Sequence, residues 1–187
     1  SAITIHNGVF RIASADDGMH ADETLTINGG TIQIINSYEG LESAVININD
    51  GRIQIAASDD GVNVAGGNDA SGMGPGMNPG GGQNRDTFAN SGSYYLNIRG
   101  GYLYADALGD GLDVNGAIEM SGGLVVINGP TAQMNGALDY DRGFSISGGV
   151  LIAAGSSGMA MAPDSNSSQP SVLLNLPSTL PGGTVVN

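Results

Sequence analysis

The chain has 187 residues and 40% hydrophobic content, enough for one domain with a continuous core. Its 18 acidic residues outnumber five basic ones, all Arg, and the net charge of -13 argues against nucleic acid or an anionic membrane as partner. Cysteine is absent, which excludes disulfides, thiolate metal sites and thiol nucleophiles, and no apolar run approaches the ~18–20 residues that span a bilayer.

Glycine is abundant, 32 residues against an ordinary share of ~7%, yet it follows no Gly-X-Y period. It separates short runs of alternating Ile, Val and Leu, the pattern of many tight turns between short strands. Aligning the glycine before each apolar pair gives Gly8, Gly30, Gly51, Gly101, Gly123 and Gly149, at intervals of 22, 21, 50, 22 and 26. The long interval contains the Gly/Met/Pro-rich stretch 66–93; removing it restores a repeat of about 22 residues. Each repeat reads as strand, glycine turn, strand and acidic turn, as in LTINGGTIQIINSYEGL and VININDGRIQIAASDDGV.

Alternation along the strands assigns five apolar columns. Ile3, Leu25, Ile46 and Leu96 form the first, and Ile5, Ile27, Ile48 and Ile98 the second. Phe10, Ile32, Ile53, Leu103, Val125 and Leu151 form the third, with Ile12, Ile34, Ile55, Ala105, Ile127 and Ala153 in the fourth. Met19, Leu41, Val62, Leu112, Leu138 and Met159 follow the acidic turns as a fifth. One coil cannot bury its own inward face, so register-matched columns predict an all-β fold, a right-handed parallel β-helix of about six coils, and argue against a sandwich. Residues 1–187 are expected to form a single β-helix domain, with 66–93 as an insertion and the Ser/Pro-rich stretch 164–187 as a C-terminal capping segment. Because the chain begins inside a coil, Ile3 and Ile5 call for a further coil or a second molecule to cover them.

The same alignment stacks acids at the turns. Asp17, Glu39, Asp60 and Asp110 share one column, preceded by Asp16, Tyr38, Asp59 and Gly109. Three residues on stand His20, Glu42, Asn63, Asp113 and Asp139, and Asp22 aligns with Asp141. Coils lie about 4.8 Å apart, so stacked carboxylates repel by roughly 1 kcal/mol per pair in water and more when shielded. Such columns call for cations. Calcium takes six to eight hard oxygen ligands, which Asp, Glu, Asn and turn carbonyls supply. Zinc or copper wants several imidazoles or thiols, and only His6 and His20 are present. Asp16, Asp17, Glu39, Glu42, Asp59, Asp60, Asp110, Asp113, Asp139 and Asp141 are the candidate metal ligands. The competing reading is that Asp-Asp-Gly is merely good turn chemistry.

Together, SADDGMHADETLTINGGTIQI, SYEGLESAVININDG, SDDGVNVAGG, LGDGLDVNG and NGALDYDRGFSISGGVLIAAGSSGMA resemble a clostridial-type carbohydrate-binding β-helix domain of secreted bacterial proteins. The resemblance implies a polysaccharide-lyase-like β-helix with bound calcium, at the cell surface or outside the cell, that binds plant cell-wall polysaccharide such as polygalacturonate or cellulose without catalysis. His20 and Asn63 stand where other turns carry acids, so those rungs are expected either to bind calcium less well or to use a carbonyl instead.

Polygalacturonate is a polyanion, and binding it at a net charge of -13 needs a bridging cation, which calcium at the acidic edge supplies. Neutral glucans instead need flat apolar faces, for which Tyr94, Tyr95, Tyr102 and Tyr104 are candidates. A lyase needs a strong base beside the metal, and Arg52 and Arg99 flank the glycine turns rather than the acidic ones. A hydrolase would need a carboxylate pair at defined separation; Asp16–Asp17 and Asp59–Asp60 qualify superficially, without polygalacturonase-type signatures. A structural reading has calcium-stiffened β-helices stacking end to end as a homo-oligomer through unpaired strand edges. The outward column Thr4, Thr26, Asn47, Asn97, Glu119 and Ser145 is no flat threonine array, which disfavours ice binding.

Overall fold

The computed structural model describes residues 1–65 and 93–185, so all but the last residue of the expected 66–93 insertion lies outside the described residues. Every element there is a β-strand and every strand pair is parallel. In chain order the strands are β1 (Ala2–Ile5), β2 (Val9–Ala13), β3 (Met19–Ile27), β4 (Thr31–Ser37), β5 (Leu41–Ile48), β6 (Arg52–Ala57), β7 (Val62–Val64) and β8 (Tyr95–Ile98). They continue with β9 (Tyr102–Ala107), β10 (Leu112–Val114), β11 (Ala117–Met120), β12 (Leu124–Asn128), β13 (Leu138–Tyr140), β14 (Gly143–Ile146) and β15 (Val150–Ala154).

Three faces wind into a parallel β-helix of about six turns. The acidic face runs through the N-terminal halves of β3 and β5, then β7, β10 and β13. A second face runs β1, the C-terminal halves of β3 and β5, β8, β11 and β14. The third runs β2-β4-β6-β9-β12-β15. An extra residue in β3 and another in β4 are absorbed as register shifts, after Ala21 and after Ile34.

The inward columns fall as the repeat requires. Ile3, Leu25, Ile46 and Leu96 are successive partners, continued by Ile118 and Phe144. Leu25, Ile46 and Leu96 have no exposed surface. The fifth column runs from Met19 to Leu138 as strand partners and ends there: Met159 is 38% exposed and outside any strand, because the chain crosses the last rung of the acidic face without strand pairing, with Met161 packed against the core and the Ala162 carbonyl accepting the Tyr140 hydroxyl. At the C-terminal end, the Asp164 N–H donates to the Phe144 carbonyl and the Gln169 N–H to that of Ile146, so residues 164–169 cover the edge of β14. No further strand pairs with β15 among the described residues, and its Val150 and Ile152 are 51% and 57% exposed. No helix among the described residues is long and apolar enough to cross a membrane.

Two glycine columns set the corners. Gly30, Gly51, Gly101, Gly123 and Gly149 have positive φ, which L side chains rarely adopt. The second column, Gly18, Gly40, Gly61 and Gly111, is dictated by contact between rungs. A Cβ on Gly40 would lie 2.2 Å from the Gly61 carbonyl oxygen and 2.5 Å from Ile55. Overpacking of this kind costs about 1–3 kcal/mol. Gly40→Ala should therefore lower the melting temperature by several degrees, whereas Gly182→Ala, with no atom within 4 Å of its Cβ, should be near neutral in the same thermal melt.

Candidate metal centre

The glycine column fixes the acids that precede it. The N–H of Gly18 donates to the Glu39 carbonyl, that of Gly40 to Asp60 and that of Gly61 to Asp110, so Asp17, Glu39, Asp60 and Asp110 occupy equivalent turn positions. Backbone bonds from Tyr38 to Asp16, Asp59 to Tyr38 and Gly109 to Asp59 stack the preceding column. On the strands, His20, Glu42, Asn63, Asp113 and Asp139 are register partners in turn.

The side chains divide this edge into segments of different character. In the first, His20 Nδ1 contacts Asp17 Oδ2 at 3.1 Å and also Glu42 Oε2, while Nε2 lies 3.3 Å from Asp22 Oδ1. Partial burial alone would lower the His20 pKa, but the hydrogen bond to Asp17, the charge of Glu42 and the remaining contacts outweigh it and raise the value to about 9. The imidazolium thus supplies a cation where two nearly buried carboxylates meet; Asp17 is 8% exposed and Glu42 1%. Asp17 Oδ1, buried here, accepts no hydrogen bond.

In the middle, Asn63 Nδ2 donates to Glu39 Oε2 at 2.8 Å with both residues buried. This neutral amide separates the Glu39–Glu42 level from the acids above it.

The third segment contains acids that meet no cationic side chain among the described residues. Carboxylate oxygens of Asp60, Asp110 and Asp113 all lie within 4.8 Å of one another. Asp60 Oδ1 accepts the Asp110 N–H at 2.6 Å, and Asp110 Oδ1 accepts the Gly136 N–H, so each carboxylate is turned along the stack. Gly109 makes the room: a Cβ there would stand 2.4 Å from both Asp59 Oδ1 and Asp60 Oδ1. Burial, then the charges of Asp113 and Asp59, pushes Asp60 up to about 9. Burial, then Asp110 and Asp139, raises Asp113 to about 7, and burial, with Asp139 and Asp59, raises Asp110 to about 6 despite the Gly136 N–H. No ion pair among the described residues brings an arginine to these acids. A half-buried, all-oxygen donor set with a cradle opened by a missing Cβ fits a hard divalent cation.

Of the ten acids expected as ligands, Asp17 and Glu42 are gathered around His20, and Asp60, Asp110 and Asp113 around one another. Asp59 borders the second group and hydrogen-bonds Tyr38, whose hydroxyl pKa is raised first by that bond and then by burial. Asp139 and Asp141 act on it through charge, Glu39 is engaged by Asn63, and Asp16 is exposed. The roles of His20 as internal cation and of Gly109 as cradle were not read from the sequence, although both stand in the aligned columns.

The four tyrosines do not share one face. Tyr94 packs against the core and Tyr95 lies on the second face in β8. Tyr102 and Tyr104 lie on the third, where the Arg52 guanidinium carbon sits 4.5 Å from the Tyr102 ring centroid and covers that ring. A cleft of about 640 Å³ near the C-terminus, bordered by Asn128, Thr131, Met161 and Leu173, has no charged residue in its lining.

The pH response follows from the shifts. Asp60, Asp110, Asp113 and His20 titrate above their ordinary values, so the metal-free folded protein binds more protons than the unfolded chain between about pH 4 and 9. Their contribution is full below the unfolded pKa values and is lost as pH rises through the folded ones. Melting temperatures in EDTA should fall from pH 5 to 7 to 9; a flat profile would contradict the electrostatics described.

Residues 1–40 match a family model described as carbohydrate-binding domain-containing protein. The match spans the first acidic turn and reaches the second, including Asp17, His20 and Glu39. No curated protein and no solved structure matches the chain.

Proposed function

We propose that the protein is a non-catalytic, calcium-dependent binder of acidic polysaccharide. The observation that carries this reading is the Asp60–Asp110–Asp113 group, three carboxylates within 4.8 Å of one another on a half-buried edge and without a cationic partner among the described residues. Calcium held there, with Asp59 alongside, would neutralise the edge and leave coordination positions for uronate carboxylates, the class represented by polygalacturonate. The carbohydrate-binding description attached to the family matching residues 1–40 supports a glycan as the partner, and secretion is part of the same proposal. A lyase reading lacks support from the arginines: Arg52 stacks on Tyr102, and Arg99 hydrogen-bonds Asn47 and Asn49 on the second face.

Calorimetry on chelator-treated protein tests this. Calcium should bind, polygalacturonate oligomers should bind only after it, and Asp110→Asn should weaken calcium at least tenfold. At a hundredfold excess over Kd, calcium should stabilise by roughly 2.7 kcal/mol. Calcium binding without subsequent glycan binding would make the ion structural, and no calcium binding would sink the proposal.

A second reading has one specific observation behind it. Among the described residues β15 is the terminal strand of its sheet and carries exposed Val150 and Ile152, and a terminal strand is the kind of edge that templates another strand. If copies assemble through it, sedimentation should show concentration-dependent association that Ile152→Lys abolishes; a monomer at all concentrations would exclude it.

A further inference from the structure

The outward side of the second face carries two polar columns. Over the early rungs their side chains are spent on one another: Asn47 Nδ2 donates to Thr26 at 3.4 Å, Asn49 to Asn28 at 2.8 Å and Asn97 to Asn47 at 3.0 Å. Arg99 closes this ladder, its Nη1 donating to Asn49 Oδ1 at 3.1 Å and Asn47 Oδ1 at 3.4 Å. Beyond it the column of Arg99 shrinks to serine at once and that of Asn97 after Glu119. Glu119 pairs with Asn97 and Ser145 with Glu119, while Ser121 and Ser147 follow Arg99 in the adjoining column. The step from Asn and Arg to Ser opens a pocket of about 260 Å³ between Arg99, Glu119 and the three serines.

Arg99 and Glu119 are both exposed, and neither takes part in an ion pair among the described residues. Arg99 spends one nitrogen on amide oxygens and keeps further fork donors. Glu119 is an acceptor, and a serine hydroxyl can both donate and accept; that of Ser147 donates to the Met120 carbonyl at 3.5 Å and keeps its acceptor side. A ligand that suits all of them at once must carry closely spaced groups that donate and accept, without net charge: Glu119 and the overall charge of -13 repel an anion, and Arg99 repels a cation. Adjacent sugar hydroxyls meet that description. The volume lies just below the ~300 Å³ at which pockets for drug-sized ligands begin, which suits a single ring.

We propose that this pocket binds one neutral pyranose residue, with neighbouring hydroxyls held between Arg99 and Glu119 and the ring edge against Ser121, Ser145 and Ser147. The inference builds on the glycan-binding reading but is independent of calcium, because the pocket lies on a different face from the Asp60–Asp110–Asp113 group.

The test is calorimetry of the full chain with cellohexaose, xylohexaose and mannohexaose, each in EDTA and in calcium. At least one should bind equally in both. Arg99→Ala and Glu119→Gln should each weaken it at least tenfold. Ser145→Leu, which fills the pocket without touching the asparagine ladder, should do the same at unchanged melting temperature. Failure of all three sugars to bind, or unaltered binding by both Arg99→Ala and Ser145→Leu, would overturn the proposal. Capture of a uronate rather than a neutral sugar by this pocket would overturn it too. Loss of calcium-dependent polygalacturonate binding with neutral-sugar binding intact would instead refute the calcium reading alone.

Discussion

Everything on the acidic edge depends on how closely successive rungs approach one another at the Gly18, Gly40, Gly61 and Gly111 column. Each glycine faces the backbone of the next rung with no room for a side chain, so the turns stack without slack. That contact carries the preceding residue of each turn into line at the strand spacing of about 4.8 Å. The apolar columns inside supply the burial that makes so tight a stack favourable. The acids are therefore held together by a scaffold whose stability comes from elsewhere.

Close stacking of acids is costly, and the protein meets the cost in three different ways along one edge. At Asp17 and Glu42 it uses an internal cation, His20. At Glu39 it uses a neutral donor, Asn63. At Asp60, Asp110 and Asp113 burial and mutual repulsion hold the pKa values high, and no ion pair among the described residues brings positive charge to them. The gradation explains why equivalent turns do not make equivalent metal sites. A group already neutralised by imidazolium has less to gain from a divalent ion than one that must otherwise take up protons.

The outer surfaces obey a different rule. Residues two apart on a strand share a face, but a coil turns corners, so nearness in sequence does not mean a shared plane. Tyr95 and Tyr102 lie on different faces, and Tyr102 is covered by Arg52. The asparagine ladder on the second face ends at Arg99 because the next rungs carry Glu119 and serines, and the pocket there is a by-product of side-chain size.

The period near 22, the apolar columns from Ile3 to Leu151 and the stacking of Asp17, Glu39, Asp60 and Asp110 are all properties of one-dimensional order, and a solenoid converts repeat position directly into rung position. The sequence alone therefore determined the parallel β-helix and which acids share an edge. It missed the end of the fifth column at Leu138, because whether the segment after β15 pairs as a strand or only lies across the last rung depends on the path of the last turns rather than on the repeat. Only the tertiary structure decided which acids face a histidine, which face an amide and which face each other. Those outcomes depend on side-chain direction, burial and the missing Cβ of Gly109, and charge interactions between rungs change with small differences in distance and shielding that a residue alignment does not contain.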